Sequence, residues 1–500
     1  MERLRTEVIF GSGHPDNDLA RRSVWGGIAT LTSQGVQLVL RLVGTVVLAR
    51  LLTPVDYGLM GMVTAVVNLA EVFKDAGLSM ATVQKDRISH EQTSTLFWLN
   101  VLISAFLGLC VLAGSPLVAS LYGRPELTAV TATLAMSFVV SGLAIQHQAL
   151  LRRHMRFGEL AGIQIVSQAV TLVVTIVLAC LGWRYWALVG GTLAQALVGT
   201  LLTIYFCPWV PGGLKRGTGV RAMVGFGGYL TGFNLVNYFA RNADNILIGK
   251  FIGVGVLGLY AKAYDLFMMP ISQIRTPMMN VAMPALSAIK DQPERYRKYY
   301  QRIIHIMASL TMPVALYCAI EADVLIEAML GPQWLGAAPL LRIMAIAGVI
   351  QPTIGTVGVV LCSLGQAQRY FIMGTTNSLF IVGSFALGLP WGAMGVATSY
   401  TIVTYVLLLP TLWYSFRRSP ISVTDYFLAM SRPAVASIIM GSALLLVRPP
   451  LASVPGVASV ACSLIIGVLV YLSALFTIPG GPRLLREYSS YWSLLSQRNT

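Results

Sequence analysis

Fourteen stretches of about twenty mostly apolar residues follow one another along this chain, and a helix of that length is what a bilayer core needs. They fall roughly at 24–48, 57–80, 93–120, 127–148, 159–181, 185–206, 223–248, 256–280, 301–320, 337–362, 370–389, 392–414, 427–447 and 456–478. The stretches 93–120 and 337–362 are long and interrupted by Pro or Gly. Composition supports lipid as the solvent: 56% of the 500 residues are hydrophobic, 11% are charged and the mean hydropathy is +0.71. An ordinary soluble domain carries about 25% charged residues, and this chain has too few to cover a soluble surface. The expected fold class is an all-α integral membrane protein with about 14 transmembrane helices.

Residues 1–22 mix Arg3, Arg5, Arg21 and Arg22 with Glu2, Glu7, Asp16 and Asp18. The first apolar run starts near Val24 and is too long for a signal peptide's apolar region. A cytosolic tail followed by a retained helix is expected.

The net charge of +15 suits either a nucleic-acid binder or a membrane protein with basic cytoplasmic loops. Position decides between them. With the N-terminus inside, 24 of the 35 Lys and Arg fall in cytoplasmic segments, the densest being Lys290, Arg295, Arg297, Lys298 and Arg302. Only Arg50, Arg124, Arg184, Lys250 and Arg448 fall outside. This bias sets the orientation and explains the basic balance without nucleic acid. An even number of spans puts both termini in the cytoplasm. The outer segments are too short for a soluble domain.

Several motifs carry no chemistry in this context. The six cysteines lie in or beside apolar runs with no CxxC pair, so no disulfide or metal site is expected. Gly253, Gly255 and Gly258 spell GxGxxG, but without the strand and βαβ unit that a dinucleotide needs. His14, His90, His147, His154 and His305 lack ligand spacing. There is no Walker A, HExxH or GxSxG motif. No cofactor is expected, and no energy from ATP bound by this chain.

The chain repeats itself at an offset of 200 residues. Without a gap, Gln34, Gln37 and Arg41 align with Asn234, Asn237 and Arg241. The register continues through Arg50 with Lys250, Gly58 with Gly258 and Leu59 with Leu259. Trp186 and Gly190 pair with Trp391 and Gly395 at an offset of 205. The first and seventh spans correspond, and an even spacing keeps their direction, so the repeat is parallel. The expected plan is a tail (1–22), an N-lobe of six helices (23–207), a cytoplasmic linker (208–222), a C-lobe of six helices (223–415), two further helices (416–478) and a tail (479–500).

Polar groups inside the spans carry the functional expectation. Gln34, Gln37 and Arg41 share one helical face, as do Asn234, Asn237, Arg241 and Asn245, with Asp244 beside them. An Arg at a helix centre costs roughly 2.5–3.5 kcal/mol on insertion scales, so such groups normally face water or a partner. Two equivalent stripes imply a hydrated cavity between lobes. The buried set holds Arg41, Lys74, Arg241, Lys262, Arg275 and Arg342 against Glu71, Asp75, Asp244 and Asp265. The cationic surplus suits an anionic substrate, a diphosphate above all, which Arg can grip through a bidentate fork. Arg241 with Asp244, Lys262 with Asp265, and Glu71 with Lys74 or Asp75 are equally readable as local pairs that only hold helices together.

An ordered series of stretches resembles the Wzx-type polysaccharide flippases, in particular the colanic-acid and lipopolysaccharide branch. They are ARLLTPVDYGLMGMV (49–63), KDAGLSMATVQ (74–84), TLFWLN (95–100), QALLRRHMRF (148–157), WALVGG (186–191) and ARNADNILIGKFIGVGVLGLYAKAYDL (240–266). The resemblance runs from about residue 20 to 415. It implies the fold of the multidrug/oligosaccharidyl-lipid/polysaccharide exporters, two six-helix lobes forming a V around a central cavity. It implies an undecaprenyl-diphosphate-linked oligosaccharide as substrate and a bacterial cytoplasmic (inner) membrane location. Arg41, Arg241 and Asp244 fall where the cavity-lining first and seventh helices lie.

On this basis the expected role is a flippase, not an enzyme, working by alternating access for exopolysaccharide, capsule or O-antigen synthesis. Arg41 and Arg241 would bind the diphosphate, helped by Lys262, Arg275 or Arg342. Gln34, Gln37, Asn234 and Asn237 would hydrogen-bond phosphate or sugar. Asp244 and Asp265 are the candidates for coupling to H+ or Na+. Membrane lipids, and polymerase and export proteins of the same pathway, are the expected partners. Two alternatives stay open. A drug/cation antiporter on the same fold would want an acidic or aromatic cavity. A polysaccharide polymerase would want a catalytic outer loop.

Overall fold

The computed structural model describes residues 16–74, 78–84, 88–213, 238, 242–451 and 456–478. Among them there are only helices and connecting turns. Among the described residues eleven helices are long and apolar enough to cross a membrane, or twelve when the pair Pro332–Gly348 and Gln351–Ser363, bent by 45°, counts as one span. One of the eleven, Ala367–Phe416, is 50 residues long and folds back on itself. Ser399 donates to the carbonyl of Ser384, Asn377 donates to Thr411, and the rings of Phe385 and Tyr400 stack. Partners close at both ends of the segment only if its two legs run antiparallel. The expected span 223–248 lies for most of its length outside the described residues. The expectation of an all-α membrane protein holds, while a count of fourteen goes beyond the helices described.

Contacts divide the chain into two compact units, Met1–Gly258 and Leu259–Thr500. In the first, His90–Tyr122 packs on Glu126–Gly142, and Phe157–Cys180 on Tyr185–Phe206. Each pair is a helical hairpin. The turns use Gly123 (φ +64°) and Gly182 (φ +80°), in the left-handed region that glycine enters without a Cβ penalty. The long first helix, Asp16–Leu51, lies along Phe157–Cys180.

Helix starts follow a local rule. Ser89 caps His90–Tyr122 by accepting from the amide of Gln92, whose side chain accepts from the amide of Ser89. Thr53 with Asp56, and Ser422 with Asp425, make the same reciprocal bonds at Pro54–Lys74 and Val423–Leu451. Each box satisfies amides that the first turn leaves without an intrahelical acceptor.

The segment that leaves Tyr185–Phe206 is anchored. Trp209 is buried, and its indole N–H donates to His90 Nδ1 at 3.1 Å. Its ring meets those of His90, Phe97 and His147 edge to face. Gly212 donates its amide to Ser94 and accepts at its carbonyl from the indole of Trp98.

In the second unit Pro293–Ile320 packs on Val423–Leu451, which also packs on Gly456–Thr477. Three tyrosines fasten the bent pair. Tyr426, Tyr300 and Tyr296 bond the hydroxyls of Thr353, Thr356 and Ser363 at 2.7, 2.9 and 2.7 Å. Those hydroxyls spend their own protons on the carbonyls of Ile350, Thr353 and Val360. The tyrosines are therefore the donors. Buried phenols paired in this way avoid the penalty of an unmet polar group in an apolar interior.

Candidate functional site

The first helix presents the expected polar face. Gln34 and Gln37 are half-buried, and Arg41 stands exposed one turn beyond Gln37. Gln37 donates to Ser33 Oγ at 2.8 Å and to Gln164 Oε1 at 3.2 Å. Gln164 belongs to Phe157–Cys180, so the polar face spans two helices of this unit. Sequence reading missed Gln164 because it has no counterpart in the repeat. The signal available was its polarity, four residues before Gln168, inside an apolar run.

Asn234, Asn237 and Arg241, the repeat partners of that face, lie outside the described residues, as does Asp75. Asp244 is described and buried; one of its carboxylate oxygens accepts from the amide of Asn245 at 2.9 Å. Nearby, Tyr238 donates to the carbonyl of Ala65 at 2.6 Å.

The other expected cations differ in setting. Lys262 is buried, whereas Asp265 is exposed. Arg275 is half-buried, and its guanidinium lies against Gly355 in the second half of the bent pair. A Cβ on Gly355 would come within 2.9 Å of that guanidinium. Arg342 is tied elsewhere: it donates to Asp323 at 2.7 Å and to the carbonyl of Ala319 at 3.3 Å. Arg448 shares the same Asp323 oxygen at 2.7 Å, and Glu321 is buried close by. Arg342 thus belongs to an ion cluster joining three helices. Lys74 forms an ion pair with Glu71 and donates to Ser141 at 3.0 Å. That is the local-pair alternative, extended by one hydroxyl.

Among the described residues, no group of three or more His, Cys, Asp or Glu could hold a metal ion. The polar face built on Gln37, Gln164 and Arg41 offers amides and a guanidinium, groups that bind oxyanions and sugar hydroxyls.

The family model described as "Polysaccharide biosynthesis protein" matches residues 47–339, more than half of the chain. The chain belongs to the polysaccharide biosynthesis protein family. Curated relatives agree with this membership and with the Wzx-type resemblance. The chain is 27% identical over 377 residues to the teichuronic acid biosynthesis protein TuaB of Bacillus subtilis (strain 168), covering 74% of this chain and 78% of that one. It is 25% identical over 414 residues to the lipopolysaccharide biosynthesis protein WzxC of Escherichia coli (strain K12), covering 80% and 82%. Among solved structures, the lipid II flippase MurJ in an inward closed conformation superposes with a TM-score of 0.71 at 15% identity, covering 91% of this chain and 98% of that one. At that identity the likeness is one of fold. This family member is therefore a multi-pass membrane protein with a MurJ-like fold.

Proposed function

We propose that this protein is a flippase that carries an undecaprenyl-diphosphate-linked oligosaccharide repeat unit from the cytoplasmic to the outer face of a bacterial inner membrane. The observation that carries this reading is the Gln34–Gln37–Arg41 face on a membrane helix, with Arg41 exposed and Gln164 joining from a second helix. A guanidinium kept at that depth is costly unless it meets water or an anion. A lipid-linked diphosphate supplies the anion at the headgroup and keeps its apolar chain in the bilayer. The family and the names of its relatives, which concern teichuronic acid and lipopolysaccharide biosynthesis, support a polysaccharide precursor as cargo.

Arg41 and Arg241 bind the diphosphate, with Lys262 or Arg275 assisting. Gln34, Gln37, Asn234 and Asn237 hydrogen-bond phosphate or sugar. Two lobes alternate between inward-open and outward-open states. Membrane potential, or exchange with H+ or Na+ at Asp244 or Asp265, supplies the energy. Polymerase and export proteins of the same pathway receive the product. The excess of Lys and Arg in the loops assigned to the inner side supports cytoplasmic termini.

A deletion strain complemented with wild type, Arg41→Ala, Arg241→Ala or the double variant tests this reading. Surface polysaccharide and the sidedness of the lipid-linked unit are measured at matched expression. The double variant should leave the unit on the inner face, with export down by about tenfold or more, as loss of a charge-assisted contact implies. Normal export by the double variant would end the assignment of these arginines. Arg41→Glu separates a cation antiporter from this reading, because only an anionic cargo is repelled by the reversed charge.

A further inference from the structure

Three arginines gather at the end of the second unit where the hairpin Ala367–Phe416 comes back to its start. Arg369 lies in the first turn of Ala367–Gly388, and Arg417 and Arg418 follow the last residue of Leu408–Phe416. Arg369 and Arg417 share one aromatic ring. Their guanidinium carbons lie 4.7 and 5.2 Å from the centroid of Tyr414. The two charges are thus within about 10 Å of each other, no more than the Debye length at 0.1 M salt, and repel. Arg417 also lies 5.3 Å from the ring centroid of Trp413, which is 61% exposed. Gln366 donates to the carbonyl of Arg418 at 2.9 Å, and Arg369 donates to the side chain of Gln366 and the carbonyl of Tyr414. These bonds fix the Arg369 side chain and the backbone of Arg418, and Arg418 follows Arg417 in sequence and is exposed.

No carboxylate among the described residues neutralises the patch. Among the described residues none of the three arginines pairs with a carboxylate; the adjacent Asp425 is taken by Arg297 and Gln301. The Nε of Arg369 is buried and has no hydrogen-bond partner among the described residues. The C-terminal carbonyls of Leu408–Phe416 carry about half a negative charge, which offsets a fraction of one arginine. Exposed Trp413 and Leu409 give the patch an apolar side, and an exposed tryptophan beside basic residues is the composition found where membranes present headgroups.

We propose that Arg369 and Arg417, which share the Tyr414 ring, together with exposed Arg418 beside them in sequence, bind the phosphate of an anionic phospholipid headgroup. The phosphate oxygens accept from the exposed guanidiniums of Arg417 and Arg418, and Arg369 adds its charge at the shared Tyr414 ring. The acyl chains run along the apolar hairpin past Trp413. The site is separate from the Gln34–Gln37–Arg41 face and does not depend on what the protein transports.

The test uses the full chain purified in an uncharged detergent, with phosphatidylglycerol or phosphatidylcholine added. Native mass spectrometry reads retained lipid, and thermal unfolding reads stability. Wild type should retain phosphatidylglycerol in preference to phosphatidylcholine and gain thermal stability from it. The double variant Arg417→Gln, Arg418→Gln should lose about tenfold or more of that preference, with lipid-free unfolding unchanged. The double variant Arg295→Gln, Lys298→Gln, which alters the neighbouring basic helix start, should keep it. Equal retention of the two lipids by wild type overturns the proposal. Equal loss in both double variants overturns it too, because diffuse positive charge would then suffice. Displacement of phosphatidylglycerol by millimolar inorganic phosphate overturns the lipid as the occupant and leaves a site for free phosphate.

Discussion

Gly58 and Gly258, two hundred residues apart, let two helices touch backbone to backbone. A Cβ on Gly58 would lie 1.8 Å from the carbonyl oxygen of Val254, and a Cβ on Gly258 would lie 1.9 Å from that of Pro54. Pro54 and Val254 are also two hundred apart, so the crossing relates equivalent positions of the repeat. Internal duplication is thus expressed as a contact that is its own mirror in sequence.

Neither glycine has room for a methyl group, because the obstacle is backbone rather than a movable side chain. Gly58→Ala and Gly258→Ala should each destabilise the protein by about 1–3 kcal/mol, the usual cost of overpacking. Gly255→Ala is the control: its Cβ would sit 3.7 Å from Val55, an ordinary contact. Thermal unfolding in detergent should separate the first two variants from the third. Equal midpoints for all three would show that the helices part easily.

Arg342 should matter for stability rather than transport. Arg342→Gln removes one of two guanidiniums from Asp323, and Arg448 remains. The groups are partly exposed, so the loss should stay within about 1 kcal/mol. Export in the complementation assay should be retained, in contrast to Arg41→Ala. A transport defect at normal expression would return Arg342 to the binding site.

Glu321 gives that cluster a pH dependence. Burial raises its pKa above the ordinary value, and like-charged Asp323 adds to the rise while Arg448 opposes it. A carboxyl whose folded-state pKa is raised contributes most stability below its unfolded pKa and loses that contribution as pH climbs through the folded value. Glu321→Gln should therefore raise the unfolding midpoint near neutral pH, and the gain should shrink towards pH 4. A gain independent of pH would mean that the substitution acts through packing.

Cys207 reports on the anchored segment. It is buried, and burial pushes its thiol up to about 11, against weaker opposing effects from a backbone hydrogen bond and Arg156. With the other five cysteines replaced by serine, Cys207 should resist maleimide at pH 7.5, since the thiolate is the nucleophile. Trp209→Ala removes the indole bond to His90 and should speed labelling by about tenfold or more as the thiol is uncovered. Fast labelling with Trp209 intact would show that the segment is not held.

Much of this was legible because membrane helices obey local rules. Apolar length marks a span wherever it occurs, and Ser89–Gln92 or Thr53–Asp56 mark helix starts by their spacing. Gln34, Gln37 and Arg41 could be grouped because helical period alone puts them on one face. Gln164 could not be found, because its meeting with Gln37 across 127 residues depends on how two helices pack. Arg342 looked like an unpaired cation for the same reason, since Asp323 and Arg448 reach it from other helices. The hairpin that doubles back within 367–416 was expected as two spans, 370–389 and 392–414, on either side of Pro390 and Trp391.

By itself the sequence determined that the chain is a bundle of membrane helices and that its residues recur at an offset of 200. Those properties rest on transfer free energy and periodicity, which act residue by residue. Only tertiary structure decided which cations meet a carboxylate and which meet an aromatic ring. Arg342 meets a carboxylate and Arg369 meets a tyrosine ring because separate helices carry the partners, and the distance between helices is fixed by packing. The close crossing at Gly58 is of the same kind: a glycine in the sequence permits contact, and the opposing backbone makes it necessary.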